Sequence, residues 1–222
     1  MFSESGNDLE DQELLRRWQS GDLGAGHELF HRYYDRVERF FLTKVSQGVE
    51  DLVQETFMGC LKGHKDVKDP AKFSHYLFRI AYNVLNTYLR KRYQQGAAWH
   101  GEELSVEDIA PGPITILTER QEQRLLLMAL RRIPWQMQVM LELHYWEHKT
   151  MADIAAIVEL KVGTVKSRMS RARELLLDAV VSLDESPELL HSTASNLNDW
   201  VENCRQLLAR LQDRARPAPP PT

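Results

Sequence analysis

Apolar residues in the first half of the chain recur at intervals of three, four and seven. Between residues 10 and 42 they fall at Leu14, Trp18, Leu29, Phe30, Tyr33, Val37, Phe40 and Phe41. That spacing predicts amphipathic helices, interrupted near SGDLGAG at 20–26. Residues 50–62 continue with Leu52, Val53, Phe57 and Leu61 on one face, and the loop GHKDVKDPA at 63–71 precedes a long helical pattern from Phe73 to about Tyr93. Periodicity then collapses from Gln94 to about Leu117, a stretch with three glycines, two prolines, four carboxylates and neither lysine nor arginine. It predicts an extended acidic linker and a domain boundary. Helical spacing resumes at Glu119, breaks at Pro134 and runs to about Asp178. Leu197, Trp200, Val201, Cys204, Leu207, Leu208 and Leu211 form one more stripe, predicting a helix over 196–211 ahead of a disordered proline tail at 217–221. Nothing alternates with the two-residue period of a strand, and no period of 20–50 residues repeats. The expected fold is all-α: a disordered terminus at 1–9, a helical domain at 10–93, the linker at 94–117, a second helical domain at 118–181 and an extension at 182–222.

Composition narrows the class. A chain of 222 residues that is 43% hydrophobic and 27% charged fits a soluble globular protein of one or two small domains. The longest apolar run, Leu125 to Leu130, is far short of a membrane span, and the polar, acidic N-terminus is unlike a secretory signal. Cys60 and Cys204 are far apart with no CxxC spacing, which points to a reducing cytoplasm and against structural zinc. A net charge of −4 excludes coating DNA through overall charge but leaves room for local basic faces.

Two such faces stand out. In TMADIAAIVELKVGTVKSRMSRARELLL (150–177), Thr150 and Asp153 have the spacing of a capping box, and Ile154, Ala155 and Val158 give a short helix its buried face. A turn around Glu159 to Lys161 leads into a second helix at about Val162, whose Val165, Met169, Ala172 and Leu176 point inward. Lys166, Ser167, Ser170 and Arg171, with Arg168 and Arg173 near them, point outward, and 161–173 holds five basic residues and no acidic one. Two short helices of this kind describe a helix-turn-helix whose second helix fits a DNA major groove. The second face lies in FSHYLFRIAYNVLNTYLRKRY (73–93), with four basic residues and no carboxylate. Phe73, Leu77, Ile80 and Val84 make a core face; Arg79, Asn83, Asn86 and Arg90 make another, flanked by Tyr76, Tyr82 and Tyr88. Guanidinium, amide and aromatic groups together suit a phosphate backbone and an unstacked base.

These residues carry a family resemblance. ADIAAIVELKVGTVKSRMSRARELL resembles region 4.2 of bacterial sigma-70-family factors, most of all the extracytoplasmic-function (ECF) group, and RIPWQMQVMLELHYWEHKT resembles region 4.1. FxxYLFRIAYNxxxxYLRKR is similar to regions 2.3–2.4, with Tyr76 at the usual tryptophan and Thr87 at a usually acidic position; EDLVQETFMGCL resembles region 2.2. The resemblance implies a non-enzymatic, cofactor-free factor that binds core RNA polymerase through the β′ clamp helices and the β flap and directs initiation at promoter DNA. It implies that Lys166, Ser167, Ser170 and Arg171 face bases of the −35 element, with Thr164, Arg168 and Arg173 nearer phosphates. It implies that Tyr76, Arg79, Tyr82, Asn83, Asn86 and Arg90 meet the −10 region, where loop 63–72 and the helix hold one flipped base. Asp51, Gln54 and Glu55 would meet polymerase, the linker would run near its active site, and an anti-sigma factor is the usual further partner. The sequence departs from the family pattern at Glu159, where glycine is frequent, and at Lys161, where a capping serine often sits.

Other readings make different demands. A stand-alone helix-turn-helix regulator would bind an operator without polymerase. His144 to His148 matches H-x-x-E-H, but the adjoining Lys149–Thr150 start places His148 in a turn and no further carboxylate ligand is evident. No nucleotide-binding or esterase motif occurs. The extension would either pack on a domain or act as a regulatory segment.

Overall fold

The computed structural model describes residues 4–93, 104–109 and 121–183. Among them nine α-helices and two 3₁₀ turns follow one another without a strand, apart from an isolated bridge between Ser105 and Pro134. The chain divides into two compact units, Met1–Trp99 with Ala155–Leu160, and His100–Ile154 with Lys161–Thr222. The helix expected over 196–211 and the proline tail lie outside the described residues.

The first unit contains α1 (Glu4–Gln19), α2 (Leu23–Leu42), α3 (Val49–Gly63) and α4 (Phe73–Tyr93), with 3₁₀ turns at His64–Asp66 and Pro70–Lys72. Helix α1 starts earlier than the pattern predicts: residues 4–9, expected to be disordered, are helical, and their polar composition carries no periodic signal of it. Between α1 and α2, Gly21 takes φ 107°, where a side chain would be strained. Asp22 then caps α2, accepting from the Ala25 amide at 3.2 Å while Arg17 donates to its other oxygen at 2.6 Å. The Arg17 bond holds the Asp22 carboxyl below its ordinary pKa. Deeper down, the Tyr33 hydroxyl donates to buried Asp11 at 2.7 Å, and Arg32 reaches the other carboxylate oxygen at 3.2 Å, joining α2 to α1. Leu15, Leu29, Val37, Phe41, Leu77, Phe78 and Leu85 are fully enclosed. Helices α3 and α4 meet at Gly59, where an added Cβ would come within 2.9 Å of Ile80.

The second unit holds α5 (Val106–Ile109), α6 (Gln121–Arg132), α7 (Trp135–Tyr145), α8 (Met151–Ile157, shared with the first unit from Ala155 onward) and α9 (Val162–Leu183). Helix α9 packs on α6 and α7 along Val165, Met169, Ala172, Leu176, Ala179 and Val180. Part of the expected linker is folded. Ser105 and Asp108 exchange bonds at 2.6–3.1 Å as a capping box for α5, Val106 and Ile109 are buried, and Trp135 N donates to Leu104 O at 3.0 Å. Two apolar side chains anchor this turn on α6 despite its acidic surroundings. The rest of 94–117 lies outside the described residues.

Candidate nucleic-acid interface

Helix α8 opens with the predicted capping box: Thr150 N and Oγ1 donate to Asp153 at 3.0 and 2.6 Å, and Asp153 N donates to Thr150 Oγ1 at 3.2 Å. Ile154, Ala155 and Val158 are buried as the pattern required. Glu159 then adopts φ 57°, the left-handed region that glycine fills without strain, and Leu160 N closes the turn onto Ala155 O at 3.0 Å. Val165 N bonds Lys161 O at 3.0 Å and starts α9.

Along α9, Lys166, Ser167, Ser170 and Arg171 are exposed, and Thr164 is half-buried. Arg171 meets Glu174 at 3.0 Å, with both side chains well exposed. Arg168 and Arg173 are held by α7, through Gln136 Oε1 at 2.7 Å and the Tyr145 hydroxyl at 2.9 Å. Gly163 carries no packing reason for its missing side chain, since a Cβ there would meet nothing within 4 Å. A first-turn glycine facing open space lets another backbone approach closely. The arrangement is an exposed basic ridge with Arg168 and Arg173 held by α7.

On α4, Arg79, Asn83 and Arg90 are exposed and Asn86 half-buried, a single polar strip as the spacing required. Tyr76 borders it, with the Arg79 guanidinium carbon 6.0 Å from its ring centre. Partial burial raises the Tyr76 phenol pKa. Tyr82 corrects the sequence expectation: only 7% exposed, its ring belongs to the core and is not offered to a base. Tyr88 stays half-exposed, its hydroxyl accepting from Arg92 at 3.2 Å.

Helix α3 presents Asp51, Gln54 and Glu55 to solvent and buries Leu52, Val53 and Phe57. Leu61, expected on the inner face, is 42% exposed, and Met58 is 46% exposed. Tyr34 of α2, stacked parallel to Phe57 with ring centres 6.3 Å apart, is also exposed. Met58 lies four residues after Gln54 and three after Glu55, a spacing that puts it on their side of the helix. The strip is therefore mixed polar and apolar.

The H-x-x-E-H segment is not arranged for zinc. Helix α7 ends at Tyr145, His148 has φ 50°, His144 Nδ1 is turned to Lys149 O at 2.9 Å, and Glu147 is buried. Among the described residues no group of three or more His, Cys, Asp or Glu side chains could hold a metal ion. No helix of the described residues is long and apolar enough to cross a membrane.

Two helical units, one with a basic helix after a tight turn and one with a basic, aromatic-edged helix, define a promoter-recognition protein of the sigma-70 family, to which this chain belongs. The sigma-70 region 2 family model matches residues 29–94 and the sigma-70 region 4 model matches residues 123–176. Within that family it is an ECF factor. It is 28% identical over 187 residues to the ECF RNA polymerase sigma-E factor of Haemophilus influenzae, covering 79% of this chain and 97% of that protein. It is 27% identical over 184 residues to the sigma-E factor of Escherichia coli K12, covering 79% and 96%. A solved structure, CnrH in complex with the cytosolic domain of CnrY, shares the fold with TM-score 0.54 and 23% identity over 79% of this chain and 99% of that one.

Proposed function

We propose that this chain is a sigma factor that joins core RNA polymerase in the cytoplasm and directs initiation by taking hold of a promoter at two elements. One observation carries the reading: the same chain holds two exposed basic helices, one in the region 4 match and one in the region 2 match. A stand-alone helix-turn-helix regulator has no use for the second, and that reading is not favoured.

In the proposed mechanism α9 enters the major groove at the −35 element, where Lys166, Ser167, Ser170 and Arg171 meet base edges. Thr164, Arg168 and Arg173 hold the flanking phosphates, and the open space over Gly163 admits the DNA backbone. At the −10 element Arg79, Asn83, Asn86 and Arg90 track one strand, while Tyr76 and the loop 63–72 hold a base that has left the stack. Stacking such a base is worth roughly 1–3 kcal/mol. Unstacking it costs a few kcal/mol. Capture therefore offsets opening without ATP. Asp51, Gln54 and Glu55, with Met58 and Leu61, would dock on the β′ clamp helices, and the second unit on the β flap. An anti-sigma factor is the further partner this reading assigns. Phosphoryl transfer belongs to the polymerase; the sigma chain contributes position.

Charge distribution explains why the polymerase is needed. Residues 1–60 contain twelve carboxylates against six lysines and arginines, so the free chain attracts DNA weakly. Run-off transcription with core polymerase on a genomic promoter library tests the whole reading. Defined start sites with two shared upstream elements are expected; no directed initiation, or nanomolar promoter binding by the free chain at physiological salt, would overturn it.

A further inference from the structure

The last two residues of α1 reach across the first unit to the turn that joins α3 to α4. The Gln19 side-chain amide donates to His64 O at 2.9 Å and to Val67 O at 3.0 Å. Trp18 lays its indole flat on the His64 imidazole, with ring centres 3.9 Å apart and planes 9° from parallel. Trp18 is itself wedged: it meets Phe30 edge-on at 5.2 Å, and a Cβ on Gly26 would come within 2.6 Å of its ring nitrogen. His64 is pinned again by its Nδ1 to Leu61 O at 2.9 Å. On the other flank the Tyr76 hydroxyl lies against Gly63, leaving no room for a side chain there. Val67 N to His64 O at 3.3 Å and the Asp69 cap on Ala71 N at 3.1 Å complete the turn.

The turn is thus shaped by residues forty-five or more positions away. The carbonyl groups of His64 and Val67 face Gln19, while Lys65, Lys68 and Lys72 of the same turn are exposed. An amide is well suited to this, because one NH₂ supplies the two donors that two adjacent carbonyls need. A loop that is already folded loses little conformational freedom when it takes up a ligand.

We propose that Gln19, supported by the Trp18–His64 stack, is a positioning residue for strand capture: it holds the 63–72 turn in the shape that receives the displaced −10 base. This rests on the base-capture reading above. Gln19 touches no DNA; it acts through the turn.

The test uses holoenzyme reconstituted with the full chain, on a promoter with an intact −10 element and on versions with single abasic sites in the non-template strand. Permanganate reactivity reports opening. For wild type, one abasic position should sharply reduce opening. The Gln19→Leu change should reduce opening about tenfold on the intact promoter, from the loss of two part-buried hydrogen bonds. It should cause no further loss at that abasic position, with core binding and −35 binding unchanged. An equal loss on intact and abasic templates, or none on either, overturns the assignment. Wild type indifferent to every abasic position overturns base capture itself and the assignment with it. Should Gln19→Leu fail to fold, His64→Ala removes the stack while leaving Gln19 in place, and the same template comparison decides.

Discussion

Arg173 of α9 donates from Nε to the hydroxyl of Tyr145 on α7 at 2.9 Å, and its guanidinium carbon lies 5.8 Å from the centre of that ring. Arg168 is held in the same way by Gln136. Both arginines are held by the protein, so on the proposed reading contact with a phosphate would not have to freeze them; a free arginine side chain carries about 2 kcal/mol of rotamer entropy.

Loss of that ordering should weaken DNA binding without changing its preference. Tyr145→Phe keeps the ring and removes the acceptor; holoenzyme affinity should fall by about threefold to tenfold, as expected for one hydrogen bond. Competition binding across a set of −35 variants should show the same factor for every sequence. A factor that depends on the base pair would mean that Arg173 reads sequence.

Arg171 should behave in the opposite manner. Its exposed pair with Glu174 is worth at most about 1 kcal/mol and is readily given up. Arg171→Ala should cost about 1–3 kcal/mol at one base pair of the upstream element and relax the preference there. Arg173→Ala should instead lower the slope of log affinity against log salt by about one. Measuring both variants over a salt series separates the roles.

The turn before α9 can be improved. Glu159 sits at φ 57°, where a side chain costs roughly 1–2 kcal/mol. Glycine would relieve that strain, less the roughly 0.5–1 kcal/mol it gives up in chain entropy. Glu159→Gly should therefore stabilise the folded chain by about 0.5–1 kcal/mol, read as a higher urea midpoint. A lower midpoint would mean that Glu159 makes a compensating contact.

Cys60 is fully buried, and burial pushes its thiol up to about 12. In the folded protein it should resist iodoacetamide at pH 8, and peptide mapping should show modification rising only as denaturant opens the first unit. Because the unfolded thiol ionises near its ordinary value of about 8.5, the folded state binds the extra proton between there and about 12. Stability should decline as pH rises through that window. Rapid native labelling would place Cys60 at a mobile seam.

Much of this was legible in the residues. Strict three-and-four spacing located α3, α4 and α9, and Thr150–Asp153 marked the start of α8, because capping and amphipathic burial are local effects. The errors came where a pattern was followed without its geometry. Tyr76, Tyr82 and Tyr88 step by six, and at about 100° per residue three such positions cannot share a face. Tyr82 falls between Phe78 and Leu85, both fully buried, and goes inward with them. The Ser105–Asp108 box repeats the spacing of Thr150–Asp153, but the acidic composition around it reads as a linker. The Gln19 brace is a tertiary contact between distant segments, and no local signal announces it.

That box changes what the acidic stretch can do. Of its four carboxylates, Asp108 is turned back onto Ser105 and Glu107 is paired with Arg132 at 3.2 Å. Both keep their charge, yet each is tied to a folded turn, so two of the stretch's four carboxylates are fixed in place on the second unit.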